Sequence, residues 1–179
     1  MFDECLEGKS LDLVIHQLEI GDEGCVVWDA ALVLLKYLLT SHGIKHIYQN
    51  HVIELGSGTG VVALTAAAAG AASVTVTDLP SLIPLIQHNI AVNKKTLDDC
   101  REHLSTLLKQ KFAIQNKNTV INAMPLDWSK PSDAHDVCNK VLSRCSTDTE
   151  SCCLLVADCV YYEEGNKALI STIVSLFEN

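Results

Sequence analysis

The ten residues His51-Val52-Ile53-Glu54-Leu55-Gly56-Ser57-Gly58-Thr59-Gly60 restrict the fold of this chain more than any other stretch. A short, mostly apolar run enters a turn with glycine at every second position. The following Val61 to Ala69 consists of strong helix formers and is closed by Gly70, a residue suited to the left-handed end of a helix. Ser73 to Thr77, β-branched and apolar, supplies a second buried strand and ends at Asp78. Pro80 fits the first turn of another helix, running to about Asn93 with Leu82, Ile86, Asn89 and Ile90 on one side. The resulting β-α-β-α order predicts a doubly wound, mostly parallel α/β sheet of the Rossmann-like kind.

The remaining segments fit around that unit. At 179 residues the chain is expected to form one domain, 1–179. Leu11 to Ile20 reads as a strand leading to a turn at Gly21–Gly24. Trp28 to Leu39 reads as a helix with Trp28, Leu32, Leu35 and Leu39 facing a core. Leu97 to Gln110 reads as an exposed amphipathic helix, and a strand is expected near Thr119 to Ala123. Polar Ser129 to Glu150 should hold a surface helix within long loops. Cys152 to Ala157 forms a last short strand with Asp158 at its end, and Asn166 to Phe177 a closing helix.

Composition narrows the function classes. Lys plus Arg total 13 against 22 Asp plus Glu, a formal charge of −9, whereas nucleic-acid binding draws most of its affinity from cationic contacts to phosphate. No nucleic-acid partner is expected. The acidic start, Met1-Phe2-Asp3-Glu4-Cys5, lacks the basic region and apolar run of an export signal, so the eight cysteines are expected reduced in the cytoplasm. No C-x-x-C pair frames zinc, and no metal site is expected. The uncharged stretch Leu55 to Thr77 carries Gly56, Gly58, Gly60 and Gly70, which suits strand, turn and helix better than a membrane span.

The glycine turn is the place where chemistry is expected. Glycines let backbone approach a ligand at a helix N-terminus, and an acidic residue closing the next strand, here Asp78, can accept hydrogen bonds from both hydroxyls of a ribose. The plainer uses of these features are a tight turn and a helix-capping aspartate. Together they point to a nucleoside-containing cofactor. A nicotinamide dinucleotide fingerprint places its third glycine three residues after the second, and that position is Val61.

The run Glu54-Leu55-Gly56-Ser57-Gly58-Thr59-Gly60 resembles instead the first motif of class I, S-adenosylmethionine-dependent methyltransferases. Three further segments, Gly24-Cys25-Val26-Val27-Trp28-Asp29-Ala30-Ala31, Leu126-Asp127-Trp128 and Ala157-Asp158-Cys159-Val160-Tyr161-Tyr162-Glu163-Glu164, extend the resemblance. Together the four are similar to a small family of protein-lysine methyltransferases that modify chaperones and AAA ATPases. The resemblance implies a cofactor pocket made by Trp28, Gly56, Ser57, Gly58, Asp78, Trp128 and Ala157. It implies catalytic roles for Asp158 and Tyr161, the ends of an acidic-x-x-aromatic hallmark. The implied acceptor is a lysine of a protein, an AAA ATPase of the valosin-containing protein type or a heat-shock chaperone. A non-catalytic binding module and a small-molecule methyltransferase are the alternatives. Because family members continue with further strands, the sheet is expected to be truncated before the last ones.

The expected chemistry is displacement at the sulfonium methyl by the lysine nitrogen, without metal or covalent enzyme intermediate. Presenting a neutral amine from a lysine of pKa about 10.4 costs about 4.6 kcal/mol at pH 7. Desolvation can lower that pKa, whereas an anionic Asp158 would raise it, so Asp158 is assigned to binding and alignment.

Overall fold

The computed structural model describes residues 11–19, 23–112, 119–144 and 151–177. Four strands, β1 (His51–Leu55), β2 (Ser73–Asp78), β3 (Val120–Pro125) and β4 (Cys152–Val156), form one parallel sheet in the order β3-β2-β1-β4. Every residue of β1 is buried, as is every residue of β2 except half-buried Asp78, because both strands are covered on both faces. Successive β1 side chains alternate between two cores. Val52 joins Val74 and Val76 on one face, while Ile53 and Leu55 join Leu126, Val137 and Leu169 on the other. The chain steps from β1 outward to β2 and β3, then returns to lay β4 on the other side of β1. That reversal creates a crevice at the carboxyl ends of β1 and β4, where open α/β sheets place their ligands.

The helices are α1 (Asp29–Leu38), α2 (Ile44–Ile47), α3 (Val61–Ala68), α4 (Ile83–Phe112), α5 (Pro131–Leu142) and α6 (Glu163–Phe177). All eight residues of α3 are buried, as an apolar and alanine-rich sequence without a polar stripe requires. It fills the space between the sheet, α1 and α4. Gly60 enters it at φ +79° and Gly70 leaves it at φ +92°, both left-handed conformations that a side chain disfavours. On the opposite face α5 and α6 pack over Ile53 and Leu55.

Several expectations need correction. No strand forms within residues 11–19, and Ile20 lies outside the described residues, as do Gly21 and Asp22 of the expected turn. The segment is held instead by side-chain amides of α4. Asn93 Oδ1 accepts from Val14 N (2.8 Å), and Asn89 Oδ1 accepts from His16 N (2.9 Å). Asn89 Nδ2 also donates to the carbonyls of His16 and Thr59, clamping this segment to the glycine turn.

In α1 the core face is Ala31, Leu34, Leu35 and Leu38, whereas Trp28 and Leu32 are exposed. The two helices expected over Pro80–Asn93 and Leu97–Gln110 run as one 30-residue helix, since Lys94-Lys95-Thr96 contains no helix breaker and Leu97 stays buried. Pro80 precedes that helix, and Pro84 takes its second position, where a missing N–H is harmless. Helix α5, the surface helix expected after Ser129, packs one face through Ala134, Val137, Cys138 and Val141 and leaves the other exposed; residues 145–150 of that segment lie outside the described residues.

Candidate functional site

A cavity of about 720 Å³ opens at the carboxyl ends of β1, β2 and β4. All nine residues singled out from the sequence line it: Trp28, Gly56, Ser57, Gly58, Asp78, Trp128, Ala157, Asp158 and Tyr161. Four come from the turn after β1 and the end of β2, three from the loop after β4, and the two indoles from the start of α1 and the loop after β3.

The turn after β1 is built by glycines at φ +59° (Gly56), +55° (Gly58) and +79° (Gly60). Ser57 N donates to Thr77 O and Gly60 N to Ser57 O, so the turn is stitched to β2 and to itself. Asp78 closes the arrangement. Its Oδ2 accepts from Gly58 N at 2.6 Å and its Oδ1 from Leu79 N at 2.7 Å. The carboxylate thus ties the end of β2 to the glycine turn.

Beneath the turn lies Glu54, only 2% exposed, whose Oε2 accepts from Ala63 N at 2.8 Å. Burial pushes its carboxyl up to about 8; the bond from Ala63 opposes the rise and the charge of Asp78 adds to it. The sequence placed Glu54 in the motif without a site role. Its burial against a second carboxylate emerges only in three dimensions.

At the end of β4, half-buried Ala157 is followed by exposed Asp158 at φ +58°, a left-handed conformation unusual for a non-glycine residue. Cys159 turns inward, its Sγ 3.3 Å from the carbonyl oxygens of both Leu55 and Ala157. Burial, with the charges of Asp78 and Glu54, pushes this thiol up to about 12, so it is not a nucleophile at neutral pH. Tyr161 (58% exposed) and Tyr162 (59% exposed) meet edge to face at 4.8 Å, and burial raises the Tyr161 phenol. Half-buried Trp128 lies against Gly56, whereas Trp28, 48% exposed, donates its indole N–H to Glu23 O at 2.9 Å.

The charge pattern is one-sided. Among the described residues Glu23, Glu54, Asp78, Asp127 and Asp158 line the cavity, and no Lys, Arg or His does. Hydrogen bonds from Ser129 and then Lys130 hold Asp127 below the ordinary carboxylate value. Glu54, with its carboxyl at about 8, is largely protonated at neutral pH, so the field comes from the other four; a field of this sign favours cationic groups and disfavours phosphates. Among the described residues no cluster of His, Cys, Asp and Glu is arranged to hold a metal ion, and no helix is long and apolar enough to cross a membrane.

Residues 7–101 match the model of a family described as lysine methyltransferase. A protein-lysine methyltransferase METTL21E of Bos taurus is 42% identical over 85 residues, covering 45% of this chain and 29% of that protein. A protein N-lysine methyltransferase METTL21A of Danio rerio is 30% identical over 170 residues, covering 92% of this chain and 63% of that protein. An EEF1A lysine methyltransferase 3 of Mus musculus is 45% identical over 67 residues, 37% of this chain and 28% of that protein. The chain thus spans less than two thirds of the length of each of these relatives.

Proposed function

Because the chain belongs to this lysine methyltransferase family, we propose that it uses S-adenosylmethionine to N-methylate a lysine side chain of a protein. The observation that carries the reading is the cavity at the β1/β4 crevice, lined among the described residues by acidic side chains and by no cationic one. A dinucleotide would bring a pyrophosphate into that field, whereas a sulfonium and a lysine ammonium are both attracted by it. The volume, about 720 Å³, lies within the range of small-molecule and cofactor sites.

The residues fit such a cofactor. Gly56, Ser57 and Gly58 bring backbone to its amino-acid end. Asp78, at the end of β2 and tied to the glycine turn through Gly58 N–H, receives ribose hydroxyls. Trp28 and Trp128 offer flat apolar walls, and Ala157 leaves room beside the strand end. The cofactor supplies an electrophilic methyl group. Asp158 and Tyr161, at the exposed rim, hold and orient the lysine nitrogen, while the aromatic walls exclude water and favour its neutral form.

For the acceptor, the likeness of the Gly24 to Ala31 run to the chaperone and AAA ATPase modifiers favours a protein of those classes, in the cytoplasm. The relative named for EEF1A makes a translation factor the competing acceptor. Incubating the chain with methyl-labelled S-adenosylmethionine and a cell lysate tests the proposal. Label is expected on a lysine of a protein, and Asp158→Ala should abolish transfer while keeping cofactor affinity. Undiminished transfer by that variant, or label confined to small molecules, would contradict it.

A further inference from the structure

The segment Glu23–Trp28 forms one wall of the cavity yet belongs to no strand of the sheet. Gly24 sits directly on the glycine turn, so that a Cβ added to Gly58 would lie 2.7 Å from the Gly24 carbonyl oxygen. Leu18 N donates to Cys25 O (3.1 Å) and Val27 N to Gln17 Oε1 (2.7 Å), which fasten the outer side of the segment. On its inner side, Glu23 is engaged twice. Its carbonyl accepts the Trp28 indole N–H, and its carboxylate Oε1 accepts the Tyr162 hydroxyl at 2.7 Å, from a residue 139 positions later. Among the described residues this is the one hydrogen bond joining the wall to the loop after β4.

We propose that Glu23 and Tyr162 are a positioning pair that clips the Glu23–Trp28 wall to the Asp158–Tyr162 loop. The face carrying Trp28 and the loop carrying Asp158 and Tyr161 then close over the cavity as one unit. The pair suits this task. A hydroxyl bonded to a carboxylate is a charge-assisted contact, stronger than a neutral one, and the bond itself raises the Tyr162 phenol, which keeps it a donor. Both partners sit at the rim, where the bond can open to admit a ligand and re-form over it. Tyr162 also abuts the Tyr161 ring, so a fixed Tyr162 restrains the aromatic assigned to the lysine nitrogen.

Tyr162→Phe keeps the ring and removes only the hydroxyl, so two measurements on the chain decide the matter. The first needs no cofactor: the indole N–H resonances of Trp28 and Trp128 in a ¹⁵N-correlation spectrum. Release of the wall should shift the Trp28 signal and speed its exchange with water, leaving Trp128 in place as the control for folding. An unmoved Trp28 signal overturns the pair.

The second measurement rests on the cavity being the cofactor site, and uses calorimetry with S-adenosylhomocysteine. Tyr162→Phe and Glu23→Ala should each raise Kd about 3- to 10-fold, the lower range for a charge-assisted bond exposed to solvent. The double variant should be no weaker than the weaker single one. Glu23→Gln, which retains an acceptor oxygen, should keep most of the affinity that Glu23→Ala loses. Unchanged Kd values, or effects that multiply in the double variant, overturn the pair. If the unaltered chain binds no cofactor, the proposed function fails, and the resonance experiment still decides the pair by itself.

Discussion

Gly56→Ala is expected to be among the most damaging single-methyl additions in the chain, and its cost can be built from two separate terms. The backbone sits at φ +59°, a left-handed conformation that costs an L-residue about 1–2 kcal/mol. The new Cβ would also lie 2.6 Å from Cys159 Sγ and 3.1 Å from Trp128 Cζ2, both packed and unable to retreat freely. Overpacking of this kind costs about 1–3 kcal/mol, so the total is about 2–5 kcal/mol. Urea denaturation gives the loss as a fall in midpoint at constant slope.

A second variant separates the terms. Cys159→Ala by itself should cost about 1 kcal/mol for the lost buried volume. In the Gly56→Ala background the same change removes the closest clash and leaves the backbone strain. The double variant should therefore be more stable than the sum of the single effects by about 1–2 kcal/mol. A cost below about 1 kcal/mol for Gly56→Ala, or strict additivity with Cys159→Ala, would rule out the clash with Cys159 and the backbone strain as its source.

Two further variants probe the support of the site. The buried Glu54 carboxyl, at about 8 against an ordinary value of 4.5, binds its proton more tightly in the folded chain. Its contribution is thus fully present below about pH 4.5 and is lost as pH rises through 8. Glu54→Gln, neutral throughout, should abolish a decline in stability on the order of a few kcal/mol across that window, seen by urea titrations at pH 5 to 9; an unchanged slope would remove Glu54 as its source. Asn89→Ala strips partners from His16 and from the buried Thr59 carbonyl and should cost about 2–4 kcal/mol in the same assay, with a loss under 1 kcal/mol contradicting the clamp.

What could be read in the sequence was local. His51–Leu55, the three glycines and the β-branched run to Asp78 carry their conformations within a few residues, and the parallel order follows from them. The nine candidate residues, drawn from five short segments, meet in one cavity because each lies at or just beyond a strand end or helix start. The misplaced parts depend on distant partners. Residues 11–19 alternate like a strand, but the backbone of Val14 and His16 bonds to Asn93 and Asn89, more than seventy positions away. Trp28 falls at core spacing with the residues of α1 but lies just before that helix and lines the cavity, where Glu23 takes its indole N–H. Nor does any local pattern reveal that Glu54 is buried beside Asp78 or that Tyr162 reaches Glu23.

We propose that a sulfonium nucleoside occupies this acidic crevice. Calorimetric titration of the chain with S-adenosylmethionine, against the reduced nicotinamide dinucleotide as competitor class, tests it most directly. Saturable binding of S-adenosylmethionine, weakened at least about tenfold by Asp78→Asn, with no binding of the dinucleotide, is the predicted result. No binding of S-adenosylmethionine, or binding of the dinucleotide with equal affinity, would contradict the account.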